Sequence, residues 1–416
     1  MRILYVTQFY PPESIAPAFR ASDHARYWKE WGNEVIVFTG LPNYPSRKLY
    51  PGYTTQLFSE ETIDGIKVFR SKEYIGANTS LMKRAVNTGS FLVFGLLNWQ
   101  LHKKEIAKDM DIVLATTGTI FAGLLGYRMA KALKKPLVIE FRDLTYIQLQ
   151  ATGNQAGSWK VRLVKGLELF LARNACRVIV VTDGLRDDLI RAGIPAEKIS
   201  VIPNGADLVS TEHHYEDQIK LGYFGTIGIS QNVLQTIELA QSLIDQGLDL
   251  RYTIIGEGAE RDLVEEWVAV NKPHWLDLEH GVSKNELEAR YSDVDMTVVS
   301  LVDDVNFRQS IPSKIFQSLA RGVPVLFLGP QGEASELIEE NNAGLALCST
   351  PEANLNKAHA FVAGPDYHDR LAAMSVGAVS LMRERFTRES MAKRLLRILE
   401  EAANATKEAR KAERKG

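Results

Sequence analysis

Cysteine is nearly missing from this chain. There are two in 416 residues, Cys176 and Cys348, one in each half. Two such distant thiols make neither a disulfide framework nor a CxxC metal site, and they read as the reduced thiols of a cytoplasmic protein. Long apolar runs are missing too. The longest, Phe91–Trp99 (FLVFGLLNW), falls far short of the roughly 20 residues that span a bilayer. Met1–Thr7 (MRILYVT) begins as a buried strand with no basic segment or cleavage site ahead of it, so a soluble or peripheral protein is expected. Familiar catalytic signatures are also absent: no P-loop, no GxSxG elbow, no HExxH. Tyr10-Pro11-Pro12, after the first strand, lacks the glycines of a dinucleotide fingerprint. Gly256-Glu257-Gly258 has Arg261 where the third glycine belongs, so NAD chemistry is not expected. Asp293-Val294-Asp295 precedes a buried strand and reads as a helix cap rather than a metal site. His213-His214 has no third ligand. No metal is therefore expected.

What is present is an ordinary globular balance, 45% hydrophobic and 24% charged, which excludes disordered, collagen-like and coiled-coil proteins. At about 100–200 residues per domain the length suggests two or three domains. Two of about 200 residues can each bury a full core. The net charge of −2 conceals an asymmetry. Residues 1–205 hold 27 Lys and Arg against 18 Asp and Glu, a net of +9; the remainder holds 22 against 33, a net of −11. A basic first half suits an anionic partner, although undirected drift of surface charge produces the same figures.

Apolar, β-branched runs alternate with helical patterns. Strands are predicted at 2–7, 34–39, 66–70, 111–116, 136–141 and 177–182, then at 220–225, 250–256, 295–300 and 323–328. Helices separate most of them, for example 18–31 and 159–174. Continuous apolar strands joined by helices indicate parallel sheets covered on both faces. The chain breaks near 202–218, and 390–414 is strongly helical. The expected organisation is an N-terminal Rossmann-like domain over 1–205, a second over 206–385, and a C-terminal helix with a basic tail over 386–416, for which packing back on the first domain is one of the placements open. In such sheets ligands lie outside the carboxyl ends of the strands, so two domains facing across a cleft would put the chemistry in those loops.

The sharpest loop is Gly225-Thr226-Ile227-Gly228, which joins a strand to a helix from about Gln231. Glycines there let main-chain N–H groups approach a phosphate at a helix N-terminus; a plain tight turn is the alternative. A helix is predicted to start at Ser313. Lys314 in its first turn opposes the helix dipole, a cost that a bound anion would offset and that a lysine turned to solvent would also avoid. Arg142-Asp143 ends a buried strand, either at a site or as a structural ion pair. Glu13, Arg20 and Pro42-Asn43-Tyr44-Pro45 line other loops of the first half.

These residues carry a resemblance. Phe9-Tyr10-Pro11-Pro12-Glu13, Arg20-Ala21-Ser22-Asp23, Pro42-Asn43-Tyr44-Pro45-Ser46, Arg142-Asp143-Leu144, the Gly225–Gly228 loop, Gly256-Glu257-Gly258, Pro312-Ser313-Lys314 and Ala320-Arg321-Gly322-Val323-Pro324 together resemble the retaining GT-B glycosyltransferases of family four, most closely the WbuB-like bacterial branch. The likeness runs from about residue 1 to 400. It implies a doubly wound α/β GT-B fold and a nucleotide-diphospho-sugar, with UDP ahead of GDP, held by the second domain. Gly225, Thr226, Ile227, Gly228, Gly256, Ser313 and Lys314 would face the donor, with Val282 near the base. The family's paired glutamates fall on Gln309 and Gln317, both amides here; Gln317 can still accept a ribose hydrogen bond. The family's lysine after the glycine loop has no match, which leaves that work to Lys314 alone or with Arg261.

The implied mechanism is a front-face transfer needing no cofactor and no dedicated base, with Lys314, Arg142 and Asp143 as the catalytic group. Glu13, Arg20, Asn43 and Tyr44 would hold the acceptor, a lipid-linked saccharide on undecaprenyl diphosphate. The setting implied is O-antigen or capsule assembly at the cytoplasmic face of an inner membrane, with an N-acetylated amino sugar such as N-acetyl-L-fucosamine transferred. Nucleic acid is not an expected partner. Residues 81–108, basic at both ends and apolar between, read as a membrane- or acceptor-facing helix or as a buried core helix. Two rival functions are a nucleotide-sugar 2-epimerase of the same fold and a non-catalytic nucleotide-sugar-binding partner.

Overall fold

The computed structural model describes residues 1–44, 48–76, 81–117, 119–151, 157–210 and 215–413. Pro45 and Ser46 of the PNYPS motif, and His213 and His214, lie outside the described residues. The chain divides into two compact units, Met1–Asn204 with Arg388–Gly416, and Gly205–Thr387.

The first unit runs β1 (Arg2–Val6), α1 (Ala16–Glu30), β2 (Glu34–Gly40), β3 (Phe58–Ile63), β4 (Ile66–Ser71), α2 (Leu81–Ile106), β5 (Ile112–Thr116), α3 (Ile120–Leu133), β6 (Leu137–Phe141), α4 (Thr145–Ala151), α5 (Trp159–Asn174), β7 (Arg177–Val180), α6 (Asp183–Arg191) and β8 (Ile199–Val201). Its sheet has the order β3-β4-β2-β1-β5-β6-β7-β8, with β3 alone antiparallel. Successive side chains of a strand point to opposite faces, so a strand buried on both sides needs an unbroken apolar run. β1 and β5 have one: Leu4, Val6, Val113 and Ala115 join the core under α2, α3 and α5, while Ile3, Tyr5, Ile112 and Leu114 face the other layer.

The second unit runs β9 (Ile219–Phe224), α7 (Val233–Asp245), β10 (Leu250–Ile255), α8 (Arg261–Asn271), β11 (Leu276–Glu279), α9 (Lys284–Ser292), β12 (Met296–Ser300), α10 (Ser313–Leu319), β13 (Val325–Leu328), α11 (Glu333–Glu340), β14 (Gly344–Leu347), α12 (Pro351–Val362) and α13 (Tyr367–Arg385). Its six strands are all parallel, in the order β11-β10-β9-β12-β13-β14. The last helix, α14 (Arg388–Glu413), returns to the first unit. Met391, Ala392, Leu395, Leu396 and Leu399 complete the core beneath α1, and the Trp28 indole donates to the Ala392 carbonyl at 2.8 Å.

Four strands escaped the sequence reading for identifiable reasons, the shortest being β8, with only three residues. β3 (FSEETI) is a polar edge strand, although Asp64-Gly65 between it and β4 is a hairpin turn signal, with φ of 50° and 69°. β11 and β14 are four residues long, and β14 (GLAL) is made of residues with little strand preference. The helix after the glycine loop begins at Val233 rather than Gln231. Asp295 of the DxD pair is buried, and its carboxylate accepts from the Lys220 N–H at 2.9 Å, tying β9 to β12.

Candidate active site

In the second unit the strand order reverses between β9 and β12, and loops leaving a sheet at such a point diverge and open a crevice. Gly225–Gly228 occupies it, braced on both sides. The Gly225 and Ile227 N–H groups donate to the Ile255 and Glu257 carbonyls at 2.8 and 2.9 Å. On the β12 side the Ser300 hydroxyl donates to the Gln231 carbonyl at 2.5 Å, and the Val302 N–H donates to Ser230 at 3.0 Å. The two glycine loops touch. A Cβ on Gly256 would overlap the Gly225 carbonyl, and Gly225 itself has φ of 128°, which L side chains avoid. The N–H groups of Thr226 and Gly228 donate to no acceptor among the described residues, so this rigid loop keeps donors in reserve.

Helix α10 starts at Ser313 and brings Lys314 to the same loop. The ammonium donates to the Thr226 carbonyl at 3.2 Å and sits 3.7 Å from the centre of the Tyr223 ring; the Tyr223 hydroxyl donates to the same carbonyl at 2.5 Å. The lysine stem passes so close that a Cβ on Gly225 would lie 2.7 Å from Cε. Among the described residues no carboxylate pairs with Lys314, and burial pushes its ammonium down to about 7. A cation held over unpaired main-chain donors, at a topological switch point and without a counter-charge, is a site for an anion.

Most of the surrounding residues already have partners within the second unit. Gln309 is half-buried in the loop before α10. Gln317, on α10, accepts from Arg321 at 3.2 Å; Arg321 is buried, lies over the Tyr291 ring and forms an ion pair with Glu288. Val282 packs on Phe224, Ile255, Tyr291, Val294 and Val323. Arg261, expected at the donor, is instead committed to structure: it is buried, donates to the Gly256 and Glu279 carbonyls, and pairs with Glu265 at 2.6 Å. It fixes the second glycine loop from within and offers no free charge. Sequence reasoning missed Arg321, Glu288, and the pairing of Glu257 with His280 at 2.8 Å, because each partner lies on a different βα unit.

The first unit corrects three expected acceptor contacts. Glu13 is buried and its carboxylate accepts from the N–H groups of Tyr44, Asn43 and Tyr10 at 2.9, 3.1 and 3.3 Å. Burial raises its pKa and these donors oppose the rise. Asn43 is buried, donating to the Leu41 carbonyl and to Glu73. Arg20 is buried against Glu140 at 2.9 Å and donates to the carbonyls of Ile202 and Pro203 at 2.8 and 2.6 Å. These three shape the loops at the carboxyl ends of β1 and β2 and present no free group. Tyr44 is half-buried, its ring edge-on to Phe9. Arg142 reaches Asn204 at 3.4 Å, and Asp143 stands exposed at the end of β6. Among the described residues no group of three or more His, Cys, Asp or Glu is placed to hold a metal.

Residues 17–205 match the family described as Glycosyl transferase 4-like domain. No curated protein matches the sequence. Among solved structures the fold is similar to sucrose-phosphate synthase from Thermosynechococcus elongatus (16% identity, TM-score 0.74, covering 97% of this chain and 99% of that one). It is also similar to HepE of Anabaena in complex with UDP-glucose (16%, 0.66, 96% and 100%) and to the lipopolysaccharide outer core galactosyltransferase WaaB (13%, 0.60, 98% and 100%). Identities this low carry the fold alone. Residues 17–205 thus match a glycosyl transferase 4-like domain, and the chain as a whole has two α/β units with parallel sheets, the fold of the GT-B glycosyltransferases it is similar to.

Proposed function

We propose that the chain transfers a sugar, with retention of configuration, from a uridine diphosphate donor to a lipid-linked saccharide in bacterial surface polysaccharide assembly. The observation that carries this reading is the Lys314 ammonium, which pairs with no carboxylate among the described residues, beside the main-chain donors of the Gly225–Gly228 loop, a charge and donor set that suit a diphosphate. UDP is favoured because HepE was solved with UDP and glucose, and TarM of S. aureus with UDP. The resemblance to the WbuB-like branch supports an N-acetylated amino or deoxyamino sugar, such as N-acetyl-L-fucosamine. It also supports undecaprenyl diphosphate as the lipid and a cytoplasmic protein at the inner membrane.

The chemistry follows from the charges. The acceptor oxygen bonds to the anomeric carbon on the face that the diphosphate leaves, and the acceptor proton passes to the departing phosphate oxygen. No separate base is needed. Lys314 and the N–H groups of Thr226 and Gly228 take up the charge that grows on the leaving group, and Asp143, with Arg142 beside it, orients the acceptor. Titration calorimetry with UDP, GDP and ADP tests the donor half. UDP is expected to bind, and Lys314→Ala to weaken it by at least about tenfold, the scale of one charge-assisted contact. Failure of wild-type protein to bind UDP would remove the reading. Isomerisation of donor without acceptor would make the protein an epimerase. Donor binding with no transfer across a lipid-acceptor panel would favour the non-catalytic role raised by Gln309 and Gln317.

A further inference from the structure

We propose that the outer faces of α2 and α5 form one docking surface for a bilayer rich in anionic lipid. The proposal stands independently of the donor assigned above. α2, α3 and α5 cover one face of the N-terminal sheet, α3 packing against both of the others. α2 buries Phe91, Trp99 and Ile106 against that sheet. Its opposite side carries Val86, Val93, Leu97 and Leu101, spaced seven, four and four residues apart and therefore on one stripe. Val93 is 64% exposed and Leu101 60%. α5 repeats the arrangement. Val161, Leu169 and Ala172 face inward, while Trp159, at 70% exposure, Leu163 and Phe170 face outward. Isolated exposed apolar residues are ordinary; a stripe of them on each of the two helices that flank α3 is not.

Charge identifies the occupant. α2, α3 and α5 contain ten Lys and Arg and only two Asp and Glu. One of those two, Glu168, is turned inward to the N–H groups of Thr145 and Tyr146. On the other face of the same sheet α1 and α14 also contain ten basic residues, but with seven acidic ones. The positive excess of the N-terminal half is thus concentrated around the apolar stripes. Aliphatic residues and a tryptophan on helices rich in lysine and arginine match a headgroup layer, whose charge is negative and whose interior accepts apolar side chains. Among the described residues no helix is long and apolar enough to cross a membrane, so contact would be peripheral.

Flotation of the full chain with vesicles tests this. One set is phosphatidylcholine alone; the other is two-thirds phosphatidylcholine and one-third phosphatidylglycerol. Wild type is expected to float with the anionic set only. Val93→Glu with Leu97→Glu, and separately Lys103→Glu with Lys104→Glu, should each reduce the bound fraction more than about tenfold, given the contribution of each basic residue at an anionic surface. Lys393→Glu with Arg397→Glu, an equal reversal on α14, should float as wild type does. Circular dichroism melts establish that the variants are folded. The proposal is overturned if wild type stays unbound, if the α2 variants float unchanged, or if free glycerol phosphate strips the protein from vesicles, which would indicate a small anion site. Equal binding to both vesicle sets would overturn it as well.

Discussion

Lys314 is the residue on which most depends, and its environment makes it testable by pH alone. Burial lowers its ammonium to about 7, and a bound diphosphate would restore the charged form. UDP affinity should therefore hold up to pH 7 and then fall by up to about tenfold per unit, with proton uptake on binding, visible by calorimetry in buffers of different ionisation enthalpy. The same shift has a cost in stability. The folded pKa lies below that of an unfolded lysine, so the penalty is full below pH 7 and fades as pH rises towards the ordinary lysine range. Lys314→Met should thus lose UDP binding yet melt no lower than wild type at pH 6, its advantage shrinking at higher pH. A lysine kept for packing would give the opposite melt. Gln317→Glu should be tolerated, because Arg321 already stands beside the amide; lost donor affinity would count against a ribose contact there. Arg321→Ala should cost about 1–3 kcal/mol in urea unfolding, because it strands Glu288 in a partly buried place. The sequence shows Lys314 and Gly225 through chemistry that each carries by itself. Glu13, Arg20 and Asn43 look the same in sequence whether they face a ligand or the protein itself, and each has a partner 30 or more residues away in the chain: the Asn43 N–H for Glu13, the Ile202 carbonyl for Arg20 and the Glu73 carboxylate for Asn43.

At the scale of elements, the loop after β6 is positioned from α5. Glu168 is fully buried, and its carboxylate accepts from the Thr145 N–H at 2.8 Å and the Tyr146 N–H at 3.4 Å, anchoring the start of α4 directly after Asp143. Burial pushes its carboxyl up to about 7, with those donors opposing. A carboxyl with a folded pKa above its unfolded value gives stability that is complete below about pH 4 and is lost as pH rises through 7. Wild type should lose ground to Glu168→Gln between pH 5 and 8, read as urea midpoints. In the second unit Gly256→Ala should abolish UDP binding while the protein still folds, since the added Cβ displaces Gly225 and with it the cradle. The central strands were legible because burial on both faces demands unbroken apolar runs. Edge strands are not under that demand, which is why the four edges, β3, β8, β11 and β14, were invisible.

For the whole molecule, the second unit lies within the sequence of the first, which closes only with α14. Saturating UDP at 100 times its dissociation constant should raise the stability of residues 205–387 by about 2.7 kcal/mol and leave the other calorimetric transition unmoved. Removing residues 388–416 should unfold the first unit and spare the second, a difference that limited proteolysis would show. During translation, α14 is made after every other element of both units, residues 205–387 included. Until then Ile3, Tyr5, Trp28 and Val37 wait with one flank uncovered. The first unit therefore stays incomplete until α14 docks, and the nascent chain meanwhile offers chaperones a patch of sheet that this helix will seal.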